Sequence, residues 1–476
     1  MKLSVLSQGV FFCDDSVDRE ILSVTDQSEQ VFAGSLFVAI PGRTKDGHAF
    51  LLRAVERGAV AAVVSEAVEP LSIPVFHVSD TRKAFALLCG NFYQNPARRL
   101  ILTGITGTNG KTSTAYMLEH CFLHCGKKSS LIGTVQIDDG ADCQKSSLTT
   151  PDPSVLHRIF SQAVKNGCTH GVMEVSSQSL DQSRTEGIPF ALGVFTNLTV
   201  DHLDYHGSMQ AYRDAKLKLF TQCERALINS DSDYSSAFLS VANACSYSAS
   251  HDADFSARRV HMSRNGVSYL ACTPSGKREV FLPAWGRFSV YNSLAALSAA
   301  ELLGLDPDLC AAAMADFPGV PGRMEAVRSD LPFRLLIDYA HTPDGLKNVL
   351  RSVRDTTVGR VILLFGCGGD RDAGKRPEMG RIASQFADEI IITTDNPRSE
   401  DPESIIRQIL QGVREDHVTV IPDRTEAIRA AIRKAQVGDT VLLAGKGHER
   451  VQIFADGTVP YDERLVARKI LEEEGY

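Results

Sequence analysis

No stretch of this sequence approaches the roughly 18 consecutive apolar residues that suggest a membrane helix, so a spanning segment is not expected. Excess positive charge is also missing. The 50 Lys and Arg stand against 58 Asp and Glu for a net charge of −8, which argues against nucleic acid or an anionic membrane surface as the main partner and leaves room only for a local basic pocket. The 11 cysteines are an odd, scattered set. Their one close pair, Cys121 and Cys125, would share a helix face without completing a four-ligand zinc site, and buried thiols are expected for most of them. The opening MKLSVLSQGVFFCDD is broken by Ser, Gln and two Asp with no small-residue cleavage site after it, so a cytoplasmic location is expected. No fixed-period repeat and no low-complexity tract is present.

What remains is a globular composition, 43% hydrophobic and 23% charged over 476 residues, enough for about three domains at about 100–200 residues each. Residues 1–98 alternate short strands with turn signals and read as a small α/β domain. Residues 99–323 open on the apolar run from Leu100 to Thr106, which enters a glycine loop and then a helix, Thr112 to His124, stopping at Gly126. Residues 324–476 alternate strands at 333–339, 361–365, 389–394, 418–421 and 440–444 with helical stretches, the pattern of a doubly wound, Rossmann-like parallel sheet. The expected class is therefore α/β throughout, with the central unit a P-loop ATPase-type parallel sheet.

The segment Gly104-Ile105-Thr106-Gly107-Thr108-Asn109-Gly110-Lys111-Thr112, followed by Ser113, is the strongest local signal. Its glycines let backbone amides close around phosphate oxygens, the next helix adds its positive end, Lys111 neutralises charge, and the Thr112 hydroxyl can ligate Mg²⁺. Five residues rather than four separate Gly104 from Gly110, so the early glycine of the Walker pattern is missing or is played by Gly107. A switch GTPase would need a guanine-reading Asn-Lys-x-Asp, and the chain has no Asn-Lys pair.

Two further apolar strands end in polar groups. One delivers Glu174 and the other leads to Asp201 and His202, at the edge where α/β sheets hold ligands. Thr112 and Glu174 with ATP oxygens suit Mg²⁺, for which a histidine is a less usual ligand. Near the C-terminus, Asp395-Asn396-Pro397-Arg398 follows an apolar run. Taken alone it reads as a turn, and alternatively as a fork pairing a carboxylate with Arg398 and an ammonium with an acid.

The ordered series TGTNGKT, EVSSQSLDQSR, FTNLTVDHLDYHGSMQAYRDAKLKLF, PGRMEAV, DYAHTPDGL, GCGGDRDAGKRPEMG, DNPR and GKGHE resembles the Mur ligases of peptidoglycan precursor synthesis across essentially the whole chain. Within that family it is most similar to the branch that adds the third residue of the stem peptide. The resemblance implies an ATP- and Mg²⁺-dependent ligase, acting as a monomer, that joins UDP-N-acetylmuramoyl-L-alanyl-D-glutamate to an amino acid through an acyl phosphate. It places Gly107, Thr108, Asn109, Gly110, Lys111, Thr112, Ser113, Asn292, Arg323, Asp338 and His341 at the ATP. Thr112, Glu174, His202 and Lys216 fall at the metal sites, Lys216 as a CO₂-derived carbamate, with Lys111, Lys216 and His202 catalytic. Ser28, Thr149, Thr150, Ser176, Gln182 and Arg184 match UDP-sugar positions. The DNPR form implies meso-diaminopimelate as the amino acid, held by Arg371, Asp395, Asn396, Pro397, Arg398, Gly445 and Glu449. The chain departs from the family at Gln27-Ser28-Glu29, where Asp-Ser-Arg is usual, at Gln178, where His is usual, and at Ser289, where Asn is usual. The nearest alternatives are a folylpolyglutamate synthetase-type ligase and a nucleotide-binding regulatory protein that has lost turnover.

Overall fold

The computed structural model describes residues 1–476 except 43, 44, 264, 415 and 416. Three parallel-type sheets follow one another along the chain. The first is four-stranded, in the order Ser23–Thr25, Ser35–Val38, Ala59–Val64, Val75–His77, all pairs parallel. Its central strands are buried on both faces, as a parallel sheet covered on both sides requires.

The second sheet has 11 strands. At its centre Ile101–Thr106 lies between His170–Glu174 and Phe190–Phe195, parallel to both, so their carboxyl ends emerge side by side. That register puts the glycine loop, Glu174 and Thr196 at one edge. The helix Lys111–His124 packs against Arg287–Leu302, whose Ala- and Ser-rich face allows close approach. The far edge is an antiparallel pair, Gly266–Thr273 and Gly276–Leu282, joined to Phe255–Ser263.

The third sheet has six strands, in the order Glu325–Ala326, Arg334–Asp338, Thr440–Ala444, Val361–Phe365, Glu389–Ile392, Val418–Val420. All but the first pair run parallel. Helices Pro343–Thr356, Lys375–Phe386 and Pro402–Leu410 close one face, and Arg424–Lys434 with Glu463–Glu473 close the other. The α/β class expected from the sequence is borne out, as are the strands Val361–Phe365 and Thr440–Ala444 to the residue.

The cysteines are all free; five are buried, Cys143 is exposed and the others are half-buried. Full burial is thus less general than expected. Among the described residues no helix is long and apolar enough to cross a membrane.

Candidate active site

Gly107 settles which residue plays the early glycine of the phosphate loop. Its φ is +150°, and a Cβ there would lie 1.9 Å from Thr196 Oγ1, whereas Gly104 sits inside the strand. Gly110 also has positive φ, +87°, and its missing Cβ leaves room for Asn292 Oδ1. The loop is laced to the neighbouring strand end. Thr196 Oγ1 donates to Asn109 O at 2.6 Å, Asn109 N donates to Asn197 Oδ1 at 2.9 Å, and Thr199 N donates to Thr108 Oγ1 at 3.0 Å.

Two lysines converge behind this loop. Lys111 Nζ donates to Gly107 O at 2.8 Å and to Thr108 O at 2.9 Å, and Lys216 Nζ donates to the same Gly107 O at 2.9 Å. Lys216 is 1% exposed and lies over the Tyr212 ring. Burial and then the Lys111 charge hold its ammonium far below the ordinary value, against the pull of Asp201. Burial lowers Lys111 as well, opposed by Glu174 and Asp201.

Thr112 Oγ1 donates to Glu174 Oε2 at 2.9 Å, and Glu174 accepts two more bonds from Thr134, 2.7 Å from the amide and 3.0 Å from the hydroxyl. A hydroxyl and a carboxylate in contact beside a phosphate loop are the hard oxygen donors that Mg²⁺ prefers. His202, at φ +53°, pairs with Asp201 at 3.4 Å. Burial lowers its pKa first, and the charges of Lys111 and Lys216 add to the effect. The charge of Asp201 acts on both lysines and on His341, so this carboxylate stands among the expected group.

A cleft of about 440 Å³ between the second and third sheets is lined by Asn109, Gly110, Ser113, Asn292, Arg323, Asp338 and His341. Seven of the residues expected at the ATP therefore share one space, and Asn109 Nδ2 bridges it to Asp344 Oδ2 at 3.0 Å. Arg323 stacks on Tyr339 and reaches Thr112 Oγ1 at 3.5 Å. Both oxygens of Asp338 are committed to backbone amides, Met324 N at 2.7 Å and Ala340 N at 2.8 Å, which makes it a brace for the junction. His341 is exposed at the cleft, where its Nδ1 lies 2.9 Å from Tyr339 O, and partial desolvation there and then the Lys375 charge disfavour its protonation.

A second cleft, about 830 Å³, continues from His202 and His341 to Arg371, Asp395, Asn396, Arg398, Gly445 and Glu449. Arg398 is left-handed at φ +53° and donates to Gly369 O at 2.7 Å. Sequence reading missed the buried cation here. Lys446 is fully buried, donates to Asn396 Oδ1 at 3.0 Å and pairs with Asp395 at 3.6 Å and Glu449 at 3.5 Å. Burial and then Asp395 raise the Glu449 carboxyl above its ordinary value. Arg376, paired with Glu400 at 2.8 Å, and the buried pair Arg424–Glu463 at 2.7 Å fix the loops that carry this cluster.

A third group lies beside Glu174. Thr150 Oγ1 donates to Glu174 O at 2.9 Å and accepts from Ser176 N at 3.0 Å. Arg184 donates to Thr150 O at 2.8 Å and to Gln182, and Thr149 bonds Thr134 at 3.0 Å. Ser28 is on the first sheet's side, and the link from there is Asp26. Burial and Asp152 push Asp26 up to about 6 against the charges of Arg82 and Arg184. Glu29 pairs with Arg53 at 3.0 Å on the surface.

This geometry coincides with two family models. The Mur ligase middle domain matches residues 105–300, and the Mur ligase, glutamate ligase domain matches residues 322–447. A curated relative from Geobacillus kaustophilus, named UDP-N-acetylmuramoyl-L-alanyl-D-glutamate--2,6-diaminopimelate ligase, is 45% identical over 100% of both chains. The chain belongs to the Mur ligase family. A relative of the same name from Listeria monocytogenes is 40% identical over 100% of this Mur ligase and 99% of its own length. A solved structure of a protein with that name aligns over 100% of both chains at 30% identity with a TM-score of 0.74. Mycobacterium tuberculosis folylpolyglutamate synthase shares the fold over 77% of this Mur ligase and 92% of its own chain, at 19% identity with a TM-score of 0.64. The family expected from the sequence motifs is thereby borne out.

Proposed function

We propose that this chain is an ATP-dependent amide ligase that adds meso-2,6-diaminopimelate to UDP-N-acetylmuramoyl-L-alanyl-D-glutamate in cytoplasmic peptidoglycan precursor synthesis, working as a monomer. One observation carries the reading. The phosphate-loop residues Asn109 and Gly110 line a cleft that shares Thr199, His341 and Asp344 with the cleft holding Arg398, and Thr112, paired with Glu174, stands next to them at the helix start. Residues 1–98 would bind the UDP-sugar with the Thr149–Arg184 group, 99–323 the ATP, and 324–476 the amino acid.

A carboxylate is a poor electrophile, and phosphorylation gives it a leaving group that the incoming amine can displace. Lys111 and the loop amides offset the charge of the phosphates as they move. Thr112 and Glu174 fit Mg²⁺, which when bound supplies further charge neutralisation, with Asp201 and His202 beside them. Lys216 fits carbamylation: burial and the Lys111 charge favour its neutral amine, the form that adds CO₂, and its carbamate would be an anion facing the Lys111 ammonium. The planar donors of Arg398 suit the distal carboxylate of diaminopimelate, with Arg371 a further donor at the same cleft. Glu449 and Asp395 suit the distal ammonium, although Lys446 already shares them. The pair of charges rejects lysine because the arginine would be left without its carboxylate.

The test is phosphate release from ATP in the presence of the UDP-linked dipeptide. Release that strongly favours meso-diaminopimelate over L-lysine or no amino acid is expected. Preference for lysine would overturn the amino-acid assignment alone, and no release with either would overturn the ligase.

A further inference from the structure

On the outer end of the phosphate-loop helix, remote from both clefts, two histidines and an aspartate converge. His120 Nε2 lies 3.0 Å from Asp316 Oδ1, and His124 Nε2 lies 3.1 Å from Asp316 Oδ2. The histidines are four apart on the helix Lys111–His124, so their rings project from one face, with centroids 4.3 Å apart. Asp316 comes from the turn Met314–Asp316, which follows the helix Pro307–Ala313.

We propose that His120, His124 and Asp316 bind a divalent cation of the zinc class. The three ligand atoms lie within 4.8 Å of one another. A tetrahedral ion with bonds of about 2.0–2.1 Å separates its ligands by roughly 3.4 Å, so the trio spans the right space with little movement. The rings are also held as ligands are. His124 Nδ1 bonds His120 O at 3.1 Å, leaving Nε2 to face the aspartate, and a bond from the second ring nitrogen to a carbonyl is the usual support of a metal-bound imidazole. His120 packs edge-on against Phe317 and its side chain is only 16% exposed, whereas Asp316 is 66% exposed and leaves an open side for water. Two imidazoles and one carboxylate favour Zn²⁺, Co²⁺ or Ni²⁺ over Mg²⁺. The ion would pin the helix that carries Ser113 to the segment that leads to Arg323, two residues of the ATP cleft.

Co²⁺ is the probe, titrated into the full chain without nucleotide, in excess Mg²⁺ and a non-chelating reductant. The expected result is one Co²⁺ per chain, with visible ligand-field bands and no thiolate charge-transfer absorption, and with affinity at least tenfold weaker in both His120→Ala and Asp316→Asn. Failure to bind, affinity in either variant unchanged from that of the unsubstituted chain, or charge-transfer absorption from a cysteine ligand would overturn the site. The first of these outcomes would leave a plain histidine–aspartate ion pair. The ligase reading is measured separately by phosphate release and survives any of these results.

Discussion

Lys111 and Lys216, 105 positions apart in the chain by their numbers, donate to the same carbonyl oxygen, that of Gly107. A buried and a half-buried ammonium group at one acceptor repel each other, and the arrangement is eased if one of them loses its proton or changes sign. Lys216→Ala is expected to lower kcat by about 10²-fold or more, the scale of removing one preorganised charged group from a reaction site. In the unsubstituted enzyme, activity is expected to fall in CO₂-depleted buffer and return with bicarbonate. Activity indifferent to bicarbonate would remove the carbamate from the account while leaving Lys216 in the site.

Arg398→Ala is expected to raise KM for meso-diaminopimelate roughly thirtyfold or more, from the loss of about 2 kcal/mol or more when a desolvated charge pair is broken. KM for ATP is expected to stay within a factor of about two, since the arginine lines the other cleft. Equal increases in both constants would mean that the substitution disturbs the domain rather than the ligand.

Lys446 is the one cation between Asp395 and Glu449 among the described contacts. Lys446→Met leaves those acids without it, and a stability loss of about 3–5 kcal/mol is expected from breaking a buried pair on one side. Urea unfolding checks this: the midpoint falls while the slope stays the same. A loss below about 1 kcal/mol would show that water reaches the acids and replaces the lysine.

His157 is 2% exposed between the helices Thr81–Phe92 and Pro153–Lys165, and burial pushes its pKa from 6.5 down to about 4. The unfolded chain binds the proton more readily, so stability is intact above pH 6.5, declines as pH falls toward 4, and loses roughly 3 kcal/mol in total from this group. His157→Phe is expected to flatten that part of the stability–pH curve. Thermal unfolding from pH 7 to 4 that declines equally in both proteins would assign the acid sensitivity to other groups.

The parallel strands were legible because they are short runs of apolar residues that stop at turn residues, as Val361–Phe365 stops at Gly366. The edge hairpin was not, because Gly276–Leu282 carries Lys277, Glu279 and Phe281 toward solvent and has only Val280 and Leu282 buried. In the candidate site, the glycine loop and the DNPR segment are local patterns and could be read from neighbours in sequence. Lys446, Asp26 and Asp344 could not, since each acquires its place from groups far along the chain. For Lys446 a signal existed: a lysine between two glycines, just after a wholly apolar strand, has little chance of reaching water.

The brace at Asp338 says how the middle and last sheets are joined. Its carboxylate holds Met324 N, while Gly322 sits against the backbone of Gly447, where a Cβ would lie 2.3 Å from the carbonyl carbon. Val320, by contrast, is buried in the core of the middle sheet. Arg323 N donates to Val320 O at 3.1 Å across Pro321, so the crossing between the two sheets is a hydrogen-bonded turn that seats Arg323 beside the last sheet. The turn that joins the two sheets is thus also the mount of a positive charge aimed at Thr112, so the chain's crossing point and its phosphate site share one set of contacts.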